Sequence, residues 1–245
     1  MDYLIIQLEA PLSSWGETAV GEYRPTANYP SESALLGLLA AAIGIEREDE
    51  AAHQMLRVGY GFAIGVQSTG RLLRDYHTAQ VPGQSDLKNK SHRSRRDELN
   101  LPKDKLNTIL STRDYRQGLA CLVAVCAGNE APYPLVDLSH ALQKPKYVLC
   151  FGRKACPPSL PLWPQVVVAA SALEAMEKYR KQLAALAENL TVALVEQLIW
   201  GGGIAAGCDE DIQVVRKDRL LSRKNWQFGD RLEHIAFLGG RSDVL

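Results

Sequence analysis

Two short stretches combine the residue types that grip or cut a nucleic acid. Arg71–Thr78 reads RLLRDYHT and sets Arg74, Tyr76 and His77 close together; Thr112–Arg116 reads TRDYR and repeats the mixture with Arg113 and Tyr115. A guanidinium can make paired hydrogen bonds to a phosphate, and a tyrosine or histidine ring offers a face to an unstacked base. The same residues could instead form a cross-strand ladder that only stabilises a hairpin. His77 and His92 also have acid–base chemistry, because an imidazole titrates near neutral pH. Metal-free RNA cleavage needs a base near a 2′-hydroxyl and an acid near the leaving 5′-oxygen. Tyr76, His77 and a nearby lysine could supply them, although a histidine among basic residues serves equally as a plain phosphate contact.

Between these stretches lies Lys88–Arg96, KNKSHRSRR, which adds Lys88, Lys90, His92, Arg93 and Arg95. The chain balances 28 Lys+Arg against 28 Asp+Glu, so the run is not a by-product of general basicity. Residues 1–60 carry three basic side chains against nine acidic ones, and residues 71–116 carry eleven against six. Residues 144–154 add Lys144, Lys146, Arg153 and Lys154 with no acid, and residues 213–231 hold six basic against two acidic. Taken singly, each cluster is a solvated surface. If the fold brings them together, three basic clusters in a neutral chain describe a face for a phosphate backbone.

Other classes of function find little support. The 245 residues are 46% hydrophobic and 23% charged, as in an ordinary globular protein of one large or two small domains. No apolar run reaches the ~18 residues of a membrane span. The N-terminal stretch lacks a basic region and is interrupted by Gln7 and Glu9, which argues against a signal peptide and for a cytoplasmic protein without a membrane partner. Cys121, Cys126, Cys150, Cys156 and Cys208 form no C-x-x-C pair and have no histidine at ligand spacing, so reduced buried thiols are expected and structural zinc is not. Gly201-Gly202-Gly203 is not followed by Lys-Ser/Thr, and GYGFAIG near residue 60 opens no helix, so neither a P-loop nor a dinucleotide site is indicated. Asp209-Glu210-Asp211 could hold a cation or be an exposed acidic turn. No cofactor, no metal and no small-molecule substrate are expected.

The elements that would position the basic residues follow from hydrophobic pattern. Tyr3–Glu9 predicts a strand, and Ser31 or Ser33 caps a buried helix over ALLGLLAAAIGI. Val58–Ser68 predicts a second strand with a bulge or close backbone approach at its glycines, and Leu119–Ala127 a third. Tyr133–Leu142 reads as a short helix and Tyr147–Phe151 as a fourth strand. That order is an α+β, ferredoxin-like pattern, shared with RNA-recognition modules. The long insertion at about 71–117 reads as a β-hairpin finger with the basic run near its tip. After 155 come a proline-rich connector, a helical stretch from about 171 to 198 and short strands within Asp211–Leu238. The expected division is therefore a nucleic-acid-binding domain at 1–155 and, at 156–245, a helix-plus-strand extension packed on it.

The ordered motifs PLSSWG, RPT, YPSESALLGLLAAAIGI, LLRDYHT, ILSTRDYRQ, FGRKACPPSLPL and KNWQFGDR resemble the CasD-type subunit family of the type I-E CRISPR surveillance complex Cascade. The resemblance covers most of the chain and is weakest at 171–198. It implies a ferredoxin-like core with a protruding thumb hairpin. It also implies a subunit that caps the 5′ handle of the guide RNA, packs against the backbone and large subunits, and meets target DNA indirectly through the complex. In type I-E a separate subunit cuts the precursor RNA, whereas the equivalent subunit of type I-C complexes is itself the endoribonuclease. By this resemblance the thumb is about 71–117, with Arg74, His77, Lys88, Lys90, Arg93, Arg95, Arg113 and Tyr115 facing RNA. Tyr76, His92 and Lys146 join them as candidates, and Arg153 and Lys154 serve the handle beside a turn shaped by Cys156 and Pro157. Trp15, Arg24 and Ser31 either touch the handle or support it.

Overall fold

The run YLIIQL is apolar in both alternating phases, which demands burial on both faces of a sheet. The computed structural model describes residues 1–87, 91–186 and 192–239. In it β1 (Asp2–Ser13) sends Leu4, Ile6 and Leu8 into one core and Tyr3 and Ile5 into a second core behind it. A two-residue strand, β2 (Tyr23–Arg24), follows the N-terminal loop. Helix α1 (Glu32–Ile43) starts at Ser31, whose Oγ accepts the Ala34 amide at 3.2 Å. Such a cap contributes about 1 kcal/mol. The helix ends at Gly44, whose φ of 91° suits glycine.

Helix α2 (Glu50–Gly59) leads into β3 (Tyr60–Ser68), then β4 (Arg71–Pro82). Short helices α3 (Gln84–Leu87) and α4 (Arg95–Glu98) and a 3-10 turn at Lys103–Lys105 precede the long β5 (Leu106–Ala127). The chain continues through α5 (Leu135–Gln143), β6 (Gln165–Val168), α6 (Ala172–Leu186), β7 (Gln197–Trp200), β8 (Ile212–Ser222) and β9 (Gln227–Phe237). The result is a mixed α/β fold dominated by one large antiparallel sheet, in the order β6-β1-β5-β3-β7-β9-β8. Helices α1 and α5 contribute to one core and α6 to the other.

One edge of β5 is shared in succession by β3 and β4. Tyr60 to Ser68 pair with Ala127 back to Ala120, and Arg71 to Pro82 pair with Gln117 back to Leu106. The break falls at Gly70 (φ 63°) and Gly118 (φ 70°), both left-handed. A Cβ at Gly70 would lie 2.5 Å from the Gln117 carbonyl oxygen, so glycine is required there. Beyond the break, β4 and the outer half of β5 form a ribbon about 40 Å long at ~3.4 Å per residue.

Three expectations need correction. Tyr147–Phe151 is not a strand; β6 takes the place beside β1. The Lys146 and Tyr147 amides instead donate to Ala42 and Ala41 at the end of α1, and the Phe151 amide to Cys156, so this segment's polar groups are satisfied away from the sheet. The helix expected over 171–198 ends at Leu186, and Gln197–Trp200 pairs with both β3 and β9. The β-formers Leu198, Ile199 and Trp200 gain more there than helix periodicity offers them; Asn189, a candidate break, lies outside the described residues. Helix α2 has no counterpart in the sequence reading, which took Val58 and Gly59, the last two residues of the helix, into the following strand.

The C-terminal hairpin is fastened to α1 by buried charge. Arg231 meets Asp218 (2.9 Å), Glu233 (2.5 Å) and Glu32 (3.3 Å), and Tyr29 donates to Glu233 at 2.7 Å. An Asp218 oxygen also accepts the first amide of α1, Glu32 N, at 3.0 Å. Removing one member of a buried ionic group leaves its partners uncompensated, at a cost of about 3–5 kcal/mol. Arg231→Met should therefore lower the stability read from urea unfolding by that amount; a loss below about 1 kcal/mol would show that solvent already screens the group.

Candidate nucleic-acid interface

At the root of the ribbon, three segments distant in sequence meet at Asp114. Its carboxylate accepts two hydrogen bonds from Arg74, at 2.9 and 3.1 Å, and one from the Tyr23 hydroxyl at 2.5 Å. Its backbone carbonyl accepts the Ser14 hydroxyl at 3.2 Å and Arg153 Nη1 at 3.1 Å. The Arg74 guanidinium holds the Asp114 carboxyl below the ordinary carboxylate range, and the carboxylate in turn raises the Tyr23 phenol. Arg74 lies over the Tyr23 ring (5.1 Å to its centroid) and Arg153 over the Tyr115 ring (4.5 Å). A second Arg153 nitrogen reaches the Arg24 carbonyl at 3.3 Å.

Backbone geometry holds these segments together. A Cβ at Gly152 would lie 1.8 Å from the Ser14 carbonyl oxygen, and Gly152 has φ 88°. The FGR turn can therefore press against the N-terminal loop only with glycine at this position. Strand β2 runs parallel to β5 at Thr112 and Arg113, which brings Tyr23 and Arg24 to the ribbon's root.

Arg24, Arg74, Arg113, Tyr115 and Arg153 thus gather in one region. Arg24 is exposed and bonds the Gly21 carbonyl at 2.5 Å; Arg113 is half-buried, with its Nε on Ser111 at 3.3 Å. Tyr115 is buried and presents its ring to Arg153 rather than to solvent. Lys154 is exposed beside Arg153. Trp15 is enclosed, with its ring 5.5 Å from that of Phe151, and Ser31 is the buried cap of α1. Of the two roles open to Trp15 and Ser31, burial fits support. Lys146 stands apart: a Cβ at Gly44 would strike its stem, which covers the end of α1.

Along the ribbon, Tyr76 is 63% exposed. His77 bonds Asp75, its neighbour on the same face. Consecutive strand residues point to opposite faces, and β4 pairs with β5 without a register shift. Tyr76 and His77 therefore cannot close on the same phosphate as a general acid and base. At the tip, Arg93 and Arg96 are exposed, Arg95 reaches the Gln80 carbonyl and Glu98, and His92 is half-buried. Lys88 and Lys90 lie outside the described residues.

Beside the Asp114 cluster opens a cleft of about 490 Å3, lined by Arg24, Ser31 and Arg153 and also by Arg223, Trp226 and Phe228 of the β8–β9 hairpin. Tyr23 and Asp114 are left without a role by a motif-by-motif sequence reading, which counts the hairpin only as a basic cluster at 213–231. Tyr23 has a weak signal, an aromatic beside arginine just before Pro25. The signal for the hairpin is the KNWQFGDR motif, whose exposed tryptophan stands between basic residues.

The profile of the family described as CRISPR-associated protein (Cas_Cas5) matches residues 3–232. The CRISPR system Cascade subunit CasD of Escherichia coli strain K12 is 33% identical over 171 residues, covering 66% of this chain and 69% of that protein. Among solved structures, a chain of a CRISPR RNA-guided surveillance complex superposes with a TM-score of 0.64 at 25% identity, covering 96% of this chain and 89% of that one. A Cas protein crystal structure superposes at 0.62 with 23% identity, covering 97% and 95%, and shares the fold. With a family match that spans nearly the whole sheet and the Asp114 cluster, this chain belongs to the CRISPR-associated Cas5 family.

Proposed function

We propose that this chain is a non-catalytic subunit of a type I-E Cascade complex that holds the 5′ handle of the guide RNA. The observation that carries the reading is the convergence on Asp114, which sets Arg24, Arg74, Arg153 and Lys154 around the root of a projecting ribbon, next to an open cleft. Arginines held over aromatic rings at a partly exposed site suit phosphates of a single strand whose bases are splayed. The relative named as a Cascade subunit and the superposed surveillance-complex chain support membership of such an assembly.

The order β6-β1-β5-β3, with α1 and α5 on one face, supports a ferredoxin-like core, and the β4–β5 ribbon supports a thumb. On this reading residues 1–155 carry the RNA contacts, while 156–245 complete the sheet at both edges. A two-stranded ribbon alone is marginal in water. This one leaves Leu72, Tyr76 and Ile109 at least half exposed, which suits burial against guide RNA and neighbouring backbone and large subunits. Target DNA would meet the chain only through that assembly. Among the described residues no helix is long and apolar enough to cross a membrane, and a cytoplasmic setting follows from the proposed role.

A second reading, a metal-independent endoribonuclease, draws on the His77–Asp75 contact. The opposed faces of Tyr76 and His77 weigh against it.

Three measurements test these readings. Lys154→Gln should weaken guide-RNA binding and reduce the slope of log affinity against log salt by about 0.7, the share of one single-strand phosphate contact. Its thermal midpoint should stay the same; unchanged affinity and slope remove the FGRK turn from the interface. Reversing the exposed tip charges, Arg93→Glu with Arg96→Glu, should weaken binding and flatten the slope by about 1.4 on the same scale, whereas an unaltered slope takes the tip off the RNA. Incubating the pure protein with its own repeat RNA in EDTA should leave the RNA intact. Specific cleavage that disappears in His77→Ala would establish the nuclease instead.

A further inference from the structure

The turn that joins β8 to β9 carries an aromatic ring that the hairpin itself does not bury. Trp226 is 55% exposed and has φ 52°, a left-handed conformation that a bulky residue rarely adopts. The turn is pinned from outside. Glu50, the first residue of α2, accepts the Lys224 amide at 2.5 Å and the Ser222 hydroxyl at 3.2 Å, and the Ser222 oxygen accepts the Asn225 amide at 3.1 Å.

Two guanidiniums flank the indole, Arg47 at 4.3 Å and Arg223 at 5.0 Å from its centroid. Among the described residues neither forms an ion pair. Burial, and the charge of Arg47 nearby, hold the Arg223 guanidinium below the usual arginine range. The Glu50 carboxylate is occupied by the turn's backbone, and Glu46 and Glu48 line the adjoining hollow without pairing either arginine, so two like charges sharing a ring favour an anion from outside. Arg223 and Trp226 also line the cleft that Arg24 and Arg153 line.

We propose that Trp226 with Arg47 and Arg223 is a seat for one unpaired base of single-stranded RNA and its adjoining phosphate. The inference rests on the RNA-binding reading and adds to it a second part of the cleft lining, on the C-terminal hairpin. A carboxylate alone would use the arginines and leave the indole idle. A nucleotide uses both, because its base stacks on an indole or guanidinium plane while its phosphate takes the free N–H groups. Continuity with the cleft places that nucleotide on the path of a strand held by Arg24 and Arg153.

The test measures fluorescence anisotropy of a labelled short single-stranded RNA of the guide repeat on the full chain, together with a series carrying one abasic residue at successive positions. Trp226→Ala should weaken binding roughly tenfold, the loss of about one stacked base, and Trp226→Phe should retain most of the affinity. One abasic position should weaken the wild type but not Trp226→Ala, a coupling that misfolding alone does not produce. Arg47→Gln and Arg223→Gln combined should flatten the salt slope by about 0.7, the share of that one phosphate.

If Trp226→Ala binds RNA like the wild type while Arg153→Ala binds weakly, the seat is overturned and the handle-binding function stands. If neither change weakens binding, both fall. If Trp226→Ala leaves RNA affinity intact but blocks joining to the other subunits, the ring serves a protein partner and the proposal is overturned.

Discussion

Strand β5 runs for 22 residues, paired on both edges inside the sheet and mainly on one edge along the ribbon, and the rest of the molecule is arranged around it. Its inner half is clasped by β1 and β3 between two hydrophobic cores, where an unpaired amide would have no water. Its outer half loses β3 and gains β4, and it receives the short parallel β2 where β1 ends. The same strand therefore anchors the core and carries Arg113, Asp114 and Tyr115 outward. A shift in its register would dissolve the core packing and the Asp114 cluster together.

Two ionic groups fix what this strand positions. Around Asp114 the charges are half open. The carboxylate is buried, while Arg74 keeps more than half its side chain in solvent, so the cluster is firm at its centre and available at its rim. Around Arg231 the charges are closed, with Asp218 and Glu233 nearly inaccessible and Asp218 also serving the first amide of α1. The second group binds the C-terminal hairpin to the helix whose other end carries Arg47 and Glu50 close by.

Legibility in the sequence followed the locality of each signal. The Ser31 cap, the apolar α1 and the runs in β1, β3 and the inner half of β5 announce themselves within a few residues, and all are where pattern puts them. Arg153 and Arg74 were readable as arginines beside aromatics, but their partner Asp114 was not readable as a hub, because its bonds span 39 to 100 positions in the chain. The segment at 147–151 misled because Val148 and Leu149 look like a strand, whereas their neighbours' amides find acceptors at the end of α1. The leucines before residue 187 set a helical rhythm that pattern alone extends too far; β7 exists because β3 and β9 each present it with an open edge.

The paired left-handed glycines at 70 and 118 mark where the ribbon leaves the sheet. Outside them β4 and β5 form a plain antiparallel ladder. Such a projection can be lengthened or shortened without disturbing either core, but only in matched steps on its two legs. A residue added to one leg alone would exchange the faces of Arg74 and His77. Reach is therefore an adjustable quantity that comes in increments, with the direction of the projection held constant by two left-handed glycines, at one of which no side chain fits.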